Sequence, residues 1–489
     1  MREGAGSRLI RESEDLPNIF EFLVETVNPQ ADSHIGLGFF YGPGPLNREV
    51  AMFKTQVEWA LEGNITDAMS AVAAAEGLFP ELVRERIAQG KIVLPMNRRR
   101  ACRTVGIGMG LLTKVNASIG TSTDIADVEA EVAKALAAQA AGADTLMELS
   151  VGGDLDLVRR EVLAAVDLPV GNVPLYQAFC EAERKYGDPN KLDEEMLFDI
   201  IARQCEDGIS FMAIHCGINL YTLERLEKQG YRYGGLVSKG GAAMVAWMKA
   251  NGRENPLYAR FDRVVDILKR YDVVLSLGNG LRAGSIGDSF DRVMVQELLI
   301  NCELAEEGRR MGCQMMVEGP GHVPMDEIEA NIILQKRMSN HAPYYMLGPL
   351  PTDIGAAYDH VVAAIGAAQS ARFGADLVCY ITPAEHLALP DLHDVVEGVK
   401  MARLAAHIGD LGKHPDRTRS RDLAMSKARR DLDWPGQFAN ALFPEDARRI
   451  RQERAPAFDP HVCTMCGGFC ANKAAGALFQ QTLENSLKA

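Results

Sequence analysis

The sequence predicts a (β/α)8 barrel preceded by a mostly helical region and followed by a helical segment that carries a cysteine cluster. Three observations predict it. Apolar runs of strand length alternate with helix-period stretches from about residue 110 to 390. Polar or glycine-rich residues follow nearly every run. The 489-residue chain is long enough for one barrel of about 250 residues with flanking regions on both sides.

The candidate strands are LLTKV (111–115), TLMEL (145–149), LPVGNV (168–173), SFMAIH (210–215), GGLVS (234–238), DVVLSL (272–277), CQMMVE (313–318), YYMLG (344–348) and ADLVCYI (375–381). Stretches such as ADVEAEVAKALAAQAAGA and DRVMVQELLINCELAEEGRRMG fit the helices between them, and strand after helix after strand implies parallel pairing. A doubly wound open sheet has the same local pattern, but nine candidates favour a barrel of eight with one extra strand. The segments SVGGD, PLYQ, HCG, SKGG, GNGLR, EGPGH, GPLPTD and TPAEH would then meet at one rim, where catalytic loops of such folds sit. Residues 1–100 read as a separate, mostly helical region with a Gly/Pro-rich loop at 36–45. The barrel occupies 101–411. Residues 412–489 hold a charged stretch (412–422) that reads as a linker or exposed connection, then helices and the cysteines.

Composition narrows the function. A net charge of -14, with no basic stripe interleaved with aromatics, argues against nucleic acid as a partner. No run approaches the roughly 20 apolar residues of a membrane helix, and the polar start MREGAGSRLIRESED has no signal-peptide core. These features lead us to expect a cytoplasmic protein. Seven of the ten cysteines are scattered singly, as buried free thiols are. The other three are not.

In His461-Val-Cys463-Thr-Met-Cys466-Gly-Gly-Phe-Cys470, three thiols fall in one tight loop. Zinc ordinarily takes four protein ligands, so a zinc site would have to recruit His461 or a distant residue. A 4Fe-4S cluster on three cysteines keeps one iron open, and that iron can chelate S-adenosylmethionine (SAM). Inert thiols are the third reading. At the rim, Arg282 offers a planar fork for phosphate or carboxylate, and Gly240 and Gly241 allow close backbone approach to an anion. A lone strand-end histidine is more often a hydrogen-bonded core residue, and Arg282, Tyr176 and Tyr345 each have an ordinary surface or packing explanation. His360, His393, His407 and His414 are read as structural.

Taken together, TLMELS (145–150), NVPLYQA (172–178), AIHCG (213–217), SLGNGLRAGS (276–285), GPGHVP (319–324), YYMLGPLPTDI (344–354), CYITPAEHLALP (379–390) and the terminal CTMCGGFC resemble the phosphomethylpyrimidine synthase superfamily of radical SAM enzymes, in order over roughly residues 65 to 475. The resemblance implies a barrel that binds 5-aminoimidazole ribotide, a 4Fe-4S cluster on Cys463, Cys466 and Cys470, and a low-potential electron donor. It also implies a homodimer in which one subunit's cluster segment completes the other's site. His322 and His386 match the family's metal histidines, usually zinc. Met147, Tyr176, His215, Ser238, Gly240, Gly280, Leu281, Arg282, Glu318 and Tyr345 match substrate-contacting positions.

The sequence departs from the synthase pattern in the same segments. Ser118 replaces the second asparagine of NAN, Lys239 the arginine of SRG, and Asn279 and Ala283 the aspartate and proline of DGLRPG, while CxxCxxxxC is one residue shorter. Asn279 is neutral and donates as well as accepts, and Lys239 is a point charge instead of a fork. The GNGLRAG form resembles the 5-hydroxybenzimidazole synthase branch, which makes a cobamide lower-ligand precursor from the same ribotide. The expected reaction is therefore radical rearrangement to 5-hydroxybenzimidazole. Synthesis of 4-amino-5-hydroxymethyl-2-methylpyrimidine phosphate for thiamine is the alternative. A non-catalytic metal-binding or electron-carrier protein is the reading from another class, and the polar groups after so many strands argue against it.

Overall fold

The computed structural model describes residues 53–476, so the 36–45 loop lies outside the described residues. A short antiparallel pair, β1 (Ile92–Val93) and β2 (Ile107–Gly108), precedes the barrel. The barrel strands are β3 (Lys114–Ile119), β4 (Thr145–Glu148), β5 (Val170–Asn172), β6 (Phe211–Ile214), β7 (Val274–Leu277), β8 (Met315–Gly319), β9 (Tyr344–Met346) and β10 (Leu377–Cys379). They pair in parallel and in chain order. The barrel closes where Leu377, Val378 and Cys379 of β10 pair with Lys114, Val115 and Asn116 of β3.

The intervening helices form where the sequence supplies an N-cap before an apolar stripe. Asp127, Asp154, Asp193 and Asp291 each accept a hydrogen bond from the third backbone N–H of the helix that follows, satisfying a donor that has no intrahelical partner. The helices pack their buried faces on the barrel, in one continuous core with the strands.

Eight of the nine candidate strands are barrel strands. GGLVS is not the extra strand expected. Gly235 adopts a left-handed φ of +65°, and Ser238 accepts from Gly241 N–H to cap the helix Lys239–Asn251, leaving too few extended residues to pair. The 412–422 stretch, mostly exposed, is helical. Helix Leu392–Lys413 turns at His414 into helix Pro415–Arg430, with proline at the first helical position, where its missing N–H is harmless. Its charges remain at the surface or pair, as Arg417 does with Glu76 at 2.6 Å.

The three helices Gln56–Leu61, Asp67–Glu76 and Pro80–Ala88 pack on a small core of their own that includes Met69, Val72, Val83 and Ile87. Buried polar groups tie this layer to the barrel end where the strands begin. Asp272, just before β7, accepts from Gln56 N–H at 3.1 Å and from the Gln314 side chain at 3.1 Å. Gln314, just before β8, exchanges two hydrogen bonds with the Leu94 backbone. The opposite end stays open for a site.

Burial pushes the Asp272 carboxyl up to about 7. The folded protein therefore holds a proton there that the unfolded chain releases near the ordinary carboxylate value. The stability this contributes is present at low pH and is lost as pH rises through about 7. In urea unfolding between about pH 4 and 7, Asp272→Asn should show a shallower fall of stability with rising pH than the parent protein. Parallel profiles would contradict the assignment.

Candidate active site

At the C-terminal ends of the strands lies a cavity of about 590 Å³, within the range of small-molecule sites. Eleven residues singled out from the sequence line it: Ser118, Met147, Tyr176, His215, Ser238, Lys239, Arg282, Glu318, His322, Tyr345 and His386. Four others, Gly240, Asn279, Gly280 and Leu281, are buried but not part of the lining. Cys463, Cys466 and Cys470 are not part of it.

Strand alternation explains the lining. Ser118, Met147, Glu318, Tyr345 and Cys379 project inward from β3, β4, β8, β9 and β10. Asn116 donates to the Tyr345 hydroxyl at 2.8 Å, and the Ser118 hydroxyl lies 3.4 Å from Cys379 Sγ. Ser276 donates to the Glu318 carboxylate at 2.8 Å. Burial raises the Glu318 carboxyl above its ordinary range.

His215 follows β6 and is enclosed by glycines. A Cβ on Gly240 would lie 2.4 Å from its ring, and one on Gly280 would lie 2.9 Å from it. Its Nε2 lies 3.2 Å from the Ser238 hydroxyl, and its buried Nδ1 has no partner. Burial, reinforced by the Arg282 charge, pushes its pKa down to about 3. The ring is neutral at physiological pH and has one nitrogen left for a ligand.

Lys239 opens the Lys239–Asn251 helix beside Tyr176, with its ammonium 5.8 Å from the ring centroid. Arg282 folds back to donate to Asn279 O at 3.0 Å. Two cations and a helix N-terminus thus face one cavity, which suits an anionic group. The Asn279 amide donates to Glu318 O at 3.2 Å, while its Oδ1 is buried without a partner.

His322 and His386 follow β8 and β10, and their ring centroids are 5.7 Å apart. Nδ1 of His322 lies 2.8 Å from Asp353, and Nδ1 of His386 lies 3.3 Å from Asp359. Carboxylates on both Nδ1 atoms leave the two Nε2 atoms free, the arrangement seen at histidine metal ligands. Among the described residues no three His, Cys, Asp or Glu side chains converge on a metal position. The histidines are a pair, with water or substrate left to fill other positions.

The cysteine loop packs against the helices Trp434–Asn440 and Pro444–Glu453. Trp434 Nε1 donates to His461 O at 3.0 Å, and Arg451 donates to Pro460 O at 2.6 Å. Backbone N–H groups of Met465 and Cys466 lower the Cys463 pKa, favouring the thiolate that metals take. Gly467, at φ +52°, turns the chain between the second and third thiols.

Sequence reasoning missed Asp353 and Asp359, which orient the histidines, and Glu297, Arg232 and Asn301, which hold the Gly278–Arg282 loop. One signal could have found two of them. Glu297 and Asn301 sit four apart on the otherwise apolar buried face of their helix, where a polar residue needs a partner.

The model of the Radical SAM ThiC family matches residues 55–477. A 5-hydroxybenzimidazole synthase of Geobacter sulfurreducens is 72% identical over 426 residues, covering 87% of this chain and 98% of its own. One from Geobacter metallireducens is 71% identical over 430 residues, or 88% and 99%. Phosphomethylpyrimidine synthase 1 of Methanosarcina barkeri is 56% identical over 419 residues, or 86% and 97%.

The enclosure of His215 has a direct spectroscopic consequence. In ¹⁵N-histidine NMR spectra assigned with His215→Gln, the His215 ring should stay neutral from pH 8 down to about pH 5, two units above a pKa of about 3. An imidazolium signal at pH 6 would show that the ring is solvated.

Proposed function

This chain belongs to the radical SAM ThiC family, and from that premise we propose that it is an enzyme converting 5-aminoimidazole ribotide to 5-hydroxybenzimidazole. The observation that carries the choice of product is identity of 72% and 71%, over nearly the full length of two relatives, with 5-hydroxybenzimidazole synthases, against 56% with a phosphomethylpyrimidine synthase. A local feature agrees. The Asn279 amide donates to a backbone carbonyl, which the aspartate of the synthase pattern cannot do when ionised.

In this reading Lys239, Arg282 and the N-terminus of the Lys239–Asn251 helix receive the ribotide phosphate. Met147, Tyr176, Ser238, Gly240, Gly280, Leu281 and Tyr345 shape the rest of the pocket, with Ser118 and Asn279 at its altered positions. Neutral His215 offers Nδ1 as a single hydrogen-bonding group. Glu318, held above the ordinary carboxylate range, exchanges a proton with the substrate nearer neutrality than a solvated carboxylate does.

Cys463, Cys466 and Cys470 would hold the 4Fe-4S cluster, with donor chemistry that suits it and leaves SAM one iron. When bound, that cluster supplies the electron for reductive cleavage of SAM, drawn from a low-potential donor. His322 and His386 would hold a divalent metal, zinc in this reading, and their paired orientation by carboxylates supports it. We place the enzyme in the cytoplasm, where low-potential reductants are found.

A homodimer is part of this reading, and the placement of exposed apolar groups supports it. Phe458, Met465 and Phe469 around the cysteines are at least 90% exposed. Exposed Tyr231, Tyr233, Ile354 and Tyr358 lie on loops at the strand ends of the barrel. Two copies would bury both sets by setting one chain's cysteine loop over the other's cavity.

Anaerobic incubation with ribotide, SAM and a strong reductant should yield 5-hydroxybenzimidazole by mass and fluorescence, with 5′-deoxyadenosine and methionine. Cys463→Ala should abolish SAM cleavage. Pyrimidine phosphate as the main product would overturn the product assignment. Metal analysis gives a separate check. After the cluster is removed, the protein should keep about one divalent ion per chain, and His322→Ala should lose it. Unchanged content in that variant would place the ion elsewhere.

A further inference from the structure

The loop Gly278–Arg282 carries a cation into the cavity, and one helix, Arg292–Arg310, holds it at three places. The Glu297 side chain is fully buried. One of its oxygens accepts from Gly280 N–H at 2.8 Å and the other from Leu281 N–H at 2.7 Å. One helical turn further on, Asn301 donates to Gly278 O at 3.1 Å. At the start of the helix, Asp291 accepts from Arg232 at 2.5 Å and 2.8 Å, and Arg232 donates to Leu281 O at 2.7 Å.

Two successive N–H groups often point into a cavity and form an anion nest. Here they point away from it, onto a carboxylate. The loop's own polar contribution to the cavity is left to the Arg282 side chain, whose direction is set by the backbone that Glu297 fixes. A carboxylate accepts at both oxygens. A glutamine has one acceptor and would turn an N–H₂ toward an N–H. Few other side chains could satisfy both donors in a buried site.

We propose that Glu297 is a positioning residue for substrate: it locks the Asn279–Arg282 turn so that the Arg282 guanidinium stays aimed at the anionic end of the ribotide. The inference rests on the ribotide reading. Glu297 touches no reacting atom, and its effect passes through Arg282, so its loss weakens ribotide binding while leaving the histidine metal pair and the cysteine loop unaltered.

Calorimetric titration of the metal-loaded protein with ribotide, without SAM, tests this. The parent protein binds, Glu297→Gln binds at least tenfold more weakly, and Glu297→Asp, shorter by one methylene, falls between. Leu268→Ala, in the barrel's outer helical layer, is the stability control: it lowers the unfolding midpoint and leaves ribotide affinity as in the parent. Parent-like affinity in Glu297→Gln overturns the inference, as does an equal weakening in Leu268→Ala. If Glu297→Gln does not fold, Glu297→Asp decides, with a threefold or greater loss expected and parent-like affinity overturning it. A folded parent that does not bind ribotide overturns the functional reading, and this inference with it.

Discussion

Closure of the barrel at the seam between β10 and β3 is the constraint on which the site depends. The seam is short, with Leu377, Val378 and Cys379 set against Lys114, Val115 and Asn116. Open it, and the sheet keeps its local pairing but loses the shared rim. With it closed, Cys379 stands 3.4 Å from Ser118, and the Tyr380 hydroxyl donates to the Ser118 backbone carbonyl. The His322 and His386 pair is independent of the seam: β9 pairs with both β8 and β10, and that pairing alone brings the loops after β8 and β10 together.

The same closure creates an electrostatic problem that buried partners solve. Glu318, Glu297 and His215 are all removed from water, and an isolated charge in such a place is costly. Each is treated differently. Glu318 is given Ser276, Glu297 two backbone donors, and His215 is left neutral. Burial thus moves the two carboxyls up and the imidazole down, so His215 stays uncharged and Glu318, the carboxyl that lines the cavity, is held above its ordinary range.

Much of this was legible in the sequence because the barrel's parts are periodic and local. Eight strands, the long helices and eleven cavity-lining residues could be read from runs and motifs. The failures have physical causes. GGLVS has strand composition, but paired glycines and a capping serine commit it to a turn and a helix start. The 412–422 stretch reads as a linker or exposed connection because its charges mask a helix that is exposed on most sides and anchored by Arg417 to Glu76. A two-residue strand such as β1 leaves no periodic trace. Glu297, Asp353 and Asp359 were missed because they act through other residues, and a supporting carboxylate has no motif of its own.

The pattern of altered residues then makes sense against the scaffold. Asn279 lies in the loop that Glu297 and Arg232 grip and Ala283 just after it, yet those grips fall on the backbone of Gly280 and Leu281, which a change of neighbouring side chain does not disturb. The loop therefore keeps its path while the groups it shows to its surroundings change. At 279, an ionised aspartate would forfeit the bond to Glu318 O and set a carboxylate beside that carbonyl, a loss of about 1–3 kcal/mol for a buried unmatched acceptor. The proposed reaction, a different product from the same substrate, is compatible with this separation, because the backbone clamp preserves the placement of Arg282 while the side chains beside it are free to change.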